Sequence, residues 1–218
     1  MQTVTDNLST SFNNIKAIIL DWDGVFHSGY KSLDGESQFS EADSMGMNMI
    51  RLGYYLINQT IPYTAIVTGE NNPTGQYLAE REHFDAIFFK IKDKKIIADY
   101  LLKEKGIQSH EILFVFDDIL DLSLAKIAGI RFLVKRDASS LLESFIIQEK
   151  LGDFITLNDG GNHAVREVCE FALSQLGLLE KTLHTRIQYG EEYQTFLNKR
   201  QSIPTKKMTL VNGALQLA

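Results

Sequence analysis

Apolar runs of strand length alternate along this chain with stretches whose apolar positions recur at helical spacing. The runs cover residues 16–20, 63–67, 86–89, 112–116 and 130–134. Between them the helical pattern predicts helices over 44–58, 73–83, 93–105, 119–128 and 138–148. Pro73 suits a first helical turn, and Gly106 and Gly129 suit helix exits. A repeated strand-then-helix order predicts a parallel sheet covered on both faces, a doubly wound α/β fold. Such sheets bind ligands beyond the carboxyl ends of their strands.

Two stretches depart from the alternation. Between residues 26 and 41, Gly29, the Asp34-Gly35 pair and the apolar Tyr30, Leu33 and Phe39 predict a β-hairpin turning at Asp34-Gly35. After Gly160-Gly161 a helix runs to about Leu176, and the pattern then weakens. Residues 189–198 read as helical and 202–207 as a polar, Pro-containing linker. The expected organisation is a flexible segment over 1–14, one domain over 15–177, and an extension of unread role over 178–218.

Composition narrows the class. With 218 residues, 44% hydrophobic and 23% charged, the chain is long enough for a real core and ordinary for a globular protein. A net charge of −6 argues against a general nucleic-acid binder, while leaving room for a small cationic pocket. Cys169 is the single cysteine, so no internal disulfide forms and a cytoplasmic home is expected. It lies in an apolar helical pattern and reads as core. No signal peptide or membrane span is visible.

The chemistry gathers at strand ends. Asp21 and Asp23 follow the first apolar run, two residues apart and so on one side of the chain, and Gly24 lets the backbone turn away. Like charges that close repel unless a cation or a shared proton offsets them. Thr68-Gly69 ends the second strand, Lys94 opens the helix after the third, and Asp117-Asp118 ends the fourth. This set suits phosphoryl transfer to a carboxylate. Asp21 and Asp117 could hold Mg²⁺, which prefers hard oxygen ligands. Asp21 would attack phosphorus and Asp23 would act as acid and then base. Thr68 and Lys94 would bind the transferring oxygens.

The set resembles the haloacid dehalogenase superfamily, over residues 15–176. The motifs are D-x-D-G-V at Asp21 to Val25, Thr68, Lys94, and Asp117-Asp118-Ile119-Leu120-Asp121. The resemblance implies Asp21 as nucleophile, Asp23 as acid/base, and Asp21, the Asp23 backbone carbonyl and Asp117 as metal ligands, with Asp118 and Asp121 supporting them. The gaps between Asp23, Thr68 and Lys94 are too short for a separate cap domain. The capless branch that this chain resembles is the phosphatases of octulosonate 8-phosphate and nononate 9-phosphate, in the hairpin, in Asp93-Lys94 and in the stretch from Gly160 to Glu167. That resemblance implies a homotetramer with a phosphorylated sugar acid bound between subunits. Gly69, a Glu70–Arg81 pair and Arg166 would touch the substrate.

Other readings remain at this stage. A dehalogenase would not need Asp23, and a sugar phosphomutase normally carries a cap. A signalling receiver domain would place its Lys last, whereas Lys94 precedes Asp117. A binding or regulatory subunit on the same fold is the non-enzymatic alternative, because Phe116, Lys90 and His163 replace family glycines. His27 stands where Thr is common and, like the other histidines, shows no metal-ligand spacing.

Overall fold

The computed structural model of the chain describes residues 1–3, 12–32, 37–138 and 140–218. Among them, nine strands form one sheet: β1 (Gln2–Thr3), β2 (Ala17–Leu20), β3 (Tyr63–Val67), β4 (Ala86–Phe89), β5 (Ile112–Phe116), β6 (Ile130–Lys135), β7 (Phe154–Asp159), β8 (Lys206–Val211) and β9 (Ala214–Leu217). Their order is β1-β7-β6-β5-β2-β3-β4-β8-β9. Pairings from β7 through β8 are parallel, and β1 and β9 close the edges antiparallel.

The helices are α1 (Glu41–Asn58), α2 (Pro73–Arg81), α3 (Lys95–Lys105), α4 (Leu122–Ala125), α5 (Ser140–Gln148), α6 (Ala164–Gln175), α7 (Leu179–Gln188) and α8 (Glu191–Gln201). The four central strands β2 to β5 are buried along their whole length, which is why they read as unbroken apolar runs. Their residues alternate between two cores. Ile18, Leu20, Ile66 and Val115 pack with Met47 and Ile50 of α1, Leu78 of α2 and Val168 of α6. Ala17, Ile19, Val67 and Phe114 pack with Ile97 and Leu101 of α3, Leu124 of α4 and Ile146 of α5. The expected doubly wound α/β fold is therefore present.

Several expectations need correction. Of the segment 1–14, the described residues are tied to the domain: Gln2 and Thr3 pair with Ile155 and Phe154 of β7, and Phe12 is fully buried against Phe132 and Phe154. An aromatic ring that fills a core gap holds its segment in place. The stretch 202–207 is not a linker throughout, because Lys206 and Lys207 begin β8 and pair with Ala86 and Ile87. A sheet edge left at β4 would expose unpaired backbone groups, and β8 covers it. Tyr193 and Phe196 of α8 then pack on Leu52, Tyr55 and Leu56, on the outer face of α1. The turn of the expected hairpin, at Asp34-Gly35, lies outside the described residues. Its described flanks, 28–32 and 37–40, are irregular chain, and an isolated bridge joins Asp23 and His27 just before them.

Candidate active site

The chain crosses over between β2 and β5, so neighbouring strands carry their helices away on opposite faces and leave a crevice at their carboxyl ends. Both strands end there in aspartate. The Asp21 N–H donates to Val115 C=O at 2.9 Å, which sets Asp21 beside the end of β5. Trp22 points into the core and stacks on Phe26, leaving its two neighbouring carboxylates at the crevice. Gly24 follows with φ +84°, and a Cβ on it would lie 2.0 Å from Asp117 Oδ2. Only glycine fits.

Asp21, Asp117 and Asp121 are buried, and one oxygen from each lies within 4.8 Å of the others. Lys94 Nζ is 2.6 Å from Asp21 Oδ1 and also contacts Asp121. The Asp121 Oδ2 accepts the backbone N–H groups of Asp117 and Asp118, at 3.2 and 3.0 Å, and so shapes the turn after β5. Burial pushes Asp21 up to about 7, with Lys94 pulling it down and Asp121 pushing it further up. Burial also pushes Asp117 up, to about 9, with the Asp21 and Asp121 charges adding to it. Lys94 goes the other way from burial alone: its two carboxylate partners outweigh desolvation and raise it.

Asp117 Oδ1 is buried with no hydrogen-bond partner among the described residues. An orphaned buried carboxylate oxygen, in a set of hard oxygen donors, fits a small divalent cation such as Mg²⁺.

Asp23 faces the other way. Its carboxylate accepts from His27 Nε2 at 3.0 Å, Lys31 Nζ at 3.0 Å, Asn72 Nδ2 at 2.9 Å and Thr68 Oγ1 at 3.3 Å. Burial raises its proton affinity, but the hydrogen bonds from His27, Lys31 and Asn72 win and hold it well below the usual carboxylate range. The Gly29 N–H donates to His27 Nδ1 at 3.1 Å, so Nε2 carries the proton that reaches Asp23. Asn72, at the residue just before α2, also donates to Thr68 Oγ1 at 2.7 Å. His27, Lys31 and Asn72 were not picked out from the sequence. A polar residue four positions after Asp23, on a turning loop, is the one signal that points to His27.

The remaining candidates are scattered. Asp118 is half exposed and caps the short 3₁₀ turn Ile119–Asp121 through Ile119 N–H, at 2.7 Å. Gly69 sits at the mouth of the crevice beside Leu120 and Lys92. The expected Glu70–Arg81 pair does not form within the chain. Glu70 pairs with Lys92 at 2.7 Å, and Arg81 pairs with Glu41 and Glu82 at 2.6 and 2.9 Å. Glu70 precedes α2 and Arg81 ends it, so the rise of the helix carries them roughly 12 Å apart. Arg166 Nε donates to Glu170 at 2.6 Å, where α6 packs against Gly46 of α1, away from the aspartate cluster.

The three glycine replacements divide. The Phe116 ring is fully buried beneath the sheet, stacked on Phe114, and does not enter the crevice. Lys90 and His163 adopt left-handed backbone, φ +58° and +68°, at a cost of roughly 1–2 kcal/mol each. Arg136, just past β6, was also missed: it contacts Asp117 Oδ2 directly.

Comparison with known proteins gives consistent neighbours. No family model matches the chain. The 3-deoxy-D-manno-octulosonate 8-phosphate phosphatase of Salmonella typhi is 27% identical over 182 residues, covering 82% of this chain and 89% of that protein. The crystal structure of a probable YrbI family phosphatase from Pseudomonas syringae pv. phaseolica superposes with a TM-score of 0.68 at 28% identity, covering 83% and 97% of the two chains. The Moraxella catarrhalis 3-deoxy-D-manno-octulosonate 8-phosphate phosphatase, solved with magnesium, phosphate and KDO, shares the fold at a TM-score of 0.67 and 24% identity. That match covers 81% of this chain and 96% of the other.

Proposed function

This chain belongs to the haloacid dehalogenase superfamily, on its octulosonate 8-phosphate phosphatase side, and from that premise we propose that it is a Mg²⁺-dependent phosphatase of a phosphorylated 3-deoxy-2-ulosonic sugar acid. The observation that carries this reading is the buried cluster of Asp21, Asp117 and Asp121 with Lys94 against Asp21, at the carboxyl ends of β2 and β5. The carboxylates of Asp21 and Asp117 and the backbone carbonyl of Asp23 would hold Mg²⁺, which supplies the positive charge that lets an anionic nucleophile approach an anionic ester.

Asp21 attacks phosphorus, the ester P–O bond breaks, and an aspartyl-phosphate forms. Asp23 gives a proton to the departing alkoxide, then takes one from the water that attacks the aspartyl-phosphate, freeing inorganic phosphate and Asp21. In the resting chain its hydrogen bonds keep Asp23 ionised, the form required of the base. A phosphate dianion arriving beside it raises its proton affinity and so favours the acid form. Thr68 and Lys94 bind the transferring oxygens as charge builds on them. Asp121 holds Lys94 and the turn that carries Asp117, and Asp118 caps that turn.

We further read the enzyme as a cytoplasmic homotetramer in which residues 15–177 carry the chemistry. Ile119 and Leu120 are exposed at an uncapped mouth, a surface that a neighbouring subunit would cover. Gly69, Glu70 and Arg166 would then reach the substrate across that boundary, while Arg81 braces α1 through Glu41. No helix among the described residues is long and apolar enough to cross a membrane.

The test is a phosphate-release screen over octulosonate 8-phosphate, nononate 9-phosphate and simpler sugar phosphates. Release from a sugar-acid phosphate that stops on chelation supports the reading. No release from any of them, with Mg²⁺ present, overturns it.

A further inference from the structure

Arg136 has no task in the chemistry above, yet its guanidinium sits on one of the metal-binding carboxylates. It follows β6, next to β5, and its Nη1 donates to Asp117 Oδ2 and stands 3.9 Å from Asp118 Oδ2. Gly24 and Gly29 make room for it, since a Cβ on either would lie 3.1 Å from a guanidinium nitrogen. A guanidinium and a divalent cation drawn to one buried carboxylate repel each other, and more strongly as the local dielectric falls. They compete.

A second seat is close by. Lys135 pairs in register with Asp159, so Arg136, the next residue, leaves the sheet beside the end of β7. Asp159 Oδ1 is buried and has no hydrogen-bond partner among the described residues. Arg136 and Asp159 line one cavity of about 510 Å³, together with Gly24, Ser28, Gly29 and Gly160. A third of the Arg136 side chain is exposed, and it faces the same cavity as Asp159.

We propose that Arg136 is a displaceable counter-cation with two seats, Asp117 before the metal binds and Asp159 afterwards. The inference rests on the metal site of the phosphatase reading, but not on turnover. It makes metal affinity the outcome of an exchange: the cation must displace a guanidinium, and Asp159 lowers the cost by receiving it.

The experiment is equilibrium Mn²⁺ binding to the full chain without substrate, followed by electron paramagnetic resonance. Arg136→Met is expected to bind Mn²⁺ about tenfold more tightly than wild type. Asp159→Asn should weaken binding about threefold in the wild-type background and have no effect in the Arg136→Met background. Equal weakening in both backgrounds would mean that Asp159 acts only through its charge, and overturns the second seat. Unchanged or weaker binding by Arg136→Met would mean that Arg136 merely orients Asp117, and overturns the exchange. Should a variant not fold, a crystal of the wild-type chain with Mn²⁺ decides: Nη1 found on Asp159 supports the proposal, and Nη1 still on Asp117 refutes it. A chain that shows this binding pattern but releases no phosphate would sink the phosphatase reading and leave the exchange standing.

Discussion

Among the described residues, the buried charges around Glu82 and those at the crevice are arranged on opposite plans. Around Glu82, at the end of α2, both carboxylate oxygens are saturated. Oε1 accepts from Ser44 at 2.9 Å and Arg81 at 2.9 Å, and Oε2 from Asn48 at 2.7 Å and Arg200 at 3.1 Å. Arg51 adds bonds to the Glu82 and His83 carbonyls, at 2.6 and 2.8 Å, where the end of a helix leaves acceptors unpaired. At the crevice, three carboxylates share Lys94 and Arg136, and Asp117 Oδ1 has no partner among the described residues. A carboxylate with both oxygens paired joins elements: here Glu82 ties α1, α2 and the α8 extension together. An unsaturated one is poised for a ligand that brings the missing charge.

The contrast breaks most sharply at Asp21. Asp21→Asn should lower kcat by about 10⁴-fold or more in the phosphate-release assay while leaving the denaturation midpoint near that of wild type. Activity that survives this change would remove Asp21 from the chemistry. Asp23→Asn is expected to cost about 10²–10⁴-fold in kcat, the usual range for a lost general acid or base. Single-turnover kinetics would tell whether both halves of the reaction slow.

Glu82→Ala tests the other cluster and should do the reverse. Removing one partner from a buried charge network destabilises by about 3–5 kcal/mol. Urea denaturation should show that loss, with kcat of the folded fraction unchanged. A drop in kcat without a drop in stability would erase the distinction between the two clusters.

A smaller effect is expected with pH. Burial raises Asp21 from 3.8 to about 7 and Asp117 from 3.8 to about 9, so the folded chain binds protons that the unfolded chain releases. Their contribution to stability is complete below the ordinary carboxylate range and is lost as pH rises through 7 and then 9. The metal-free chain should therefore melt lower at pH 9 than at pH 6. Protons and Mg²⁺ compete for the same oxygens, so the rise in Tm with Mg²⁺ should grow over that interval. A melting temperature indifferent to Mg²⁺ at pH 9 would contradict the metal site.

The least effect is expected from His27→Gln, which keeps a donor near Asp23 on a longer, looser side chain. A fall in kcat of about tenfold or less, with the pH profile moved, would fit a residue that tunes Asp23.

Much of this was legible in the chain. Strands 63–67, 86–89 and 112–116 begin and end where the apolar runs do, because parallel strands covered on both faces are mostly apolar until they leave the sheet. The same rule put Asp21, Thr68 and Asp117 at one edge. β7 escaped notice because Phe-Ile-Thr-Leu-Asn-Asp turns polar halfway, as it leaves the core for the crevice. β8 escaped because it is a half-exposed strand covering β4, and only Met208 in it is buried. Within the chain, Glu70 and Arg81 each meet a nearer partner, Lys92 and Glu41, which the order of residues did not reveal.

By itself, then, the order of residues determined the layered sheet, its winding and which edge bears the acids. Hydrophobic periodicity is local, and a strand end is a position along the chain. Tertiary structure decided how the charges are matched: Lys94 to Asp21, His27 and Asn72 to Asp23, Arg136 to Asp117. Charges act through space, and apart from His27 and Asp23, four positions apart on one loop, these partners stand 19 to 73 positions apart and meet only after the sheet has brought its strand ends together.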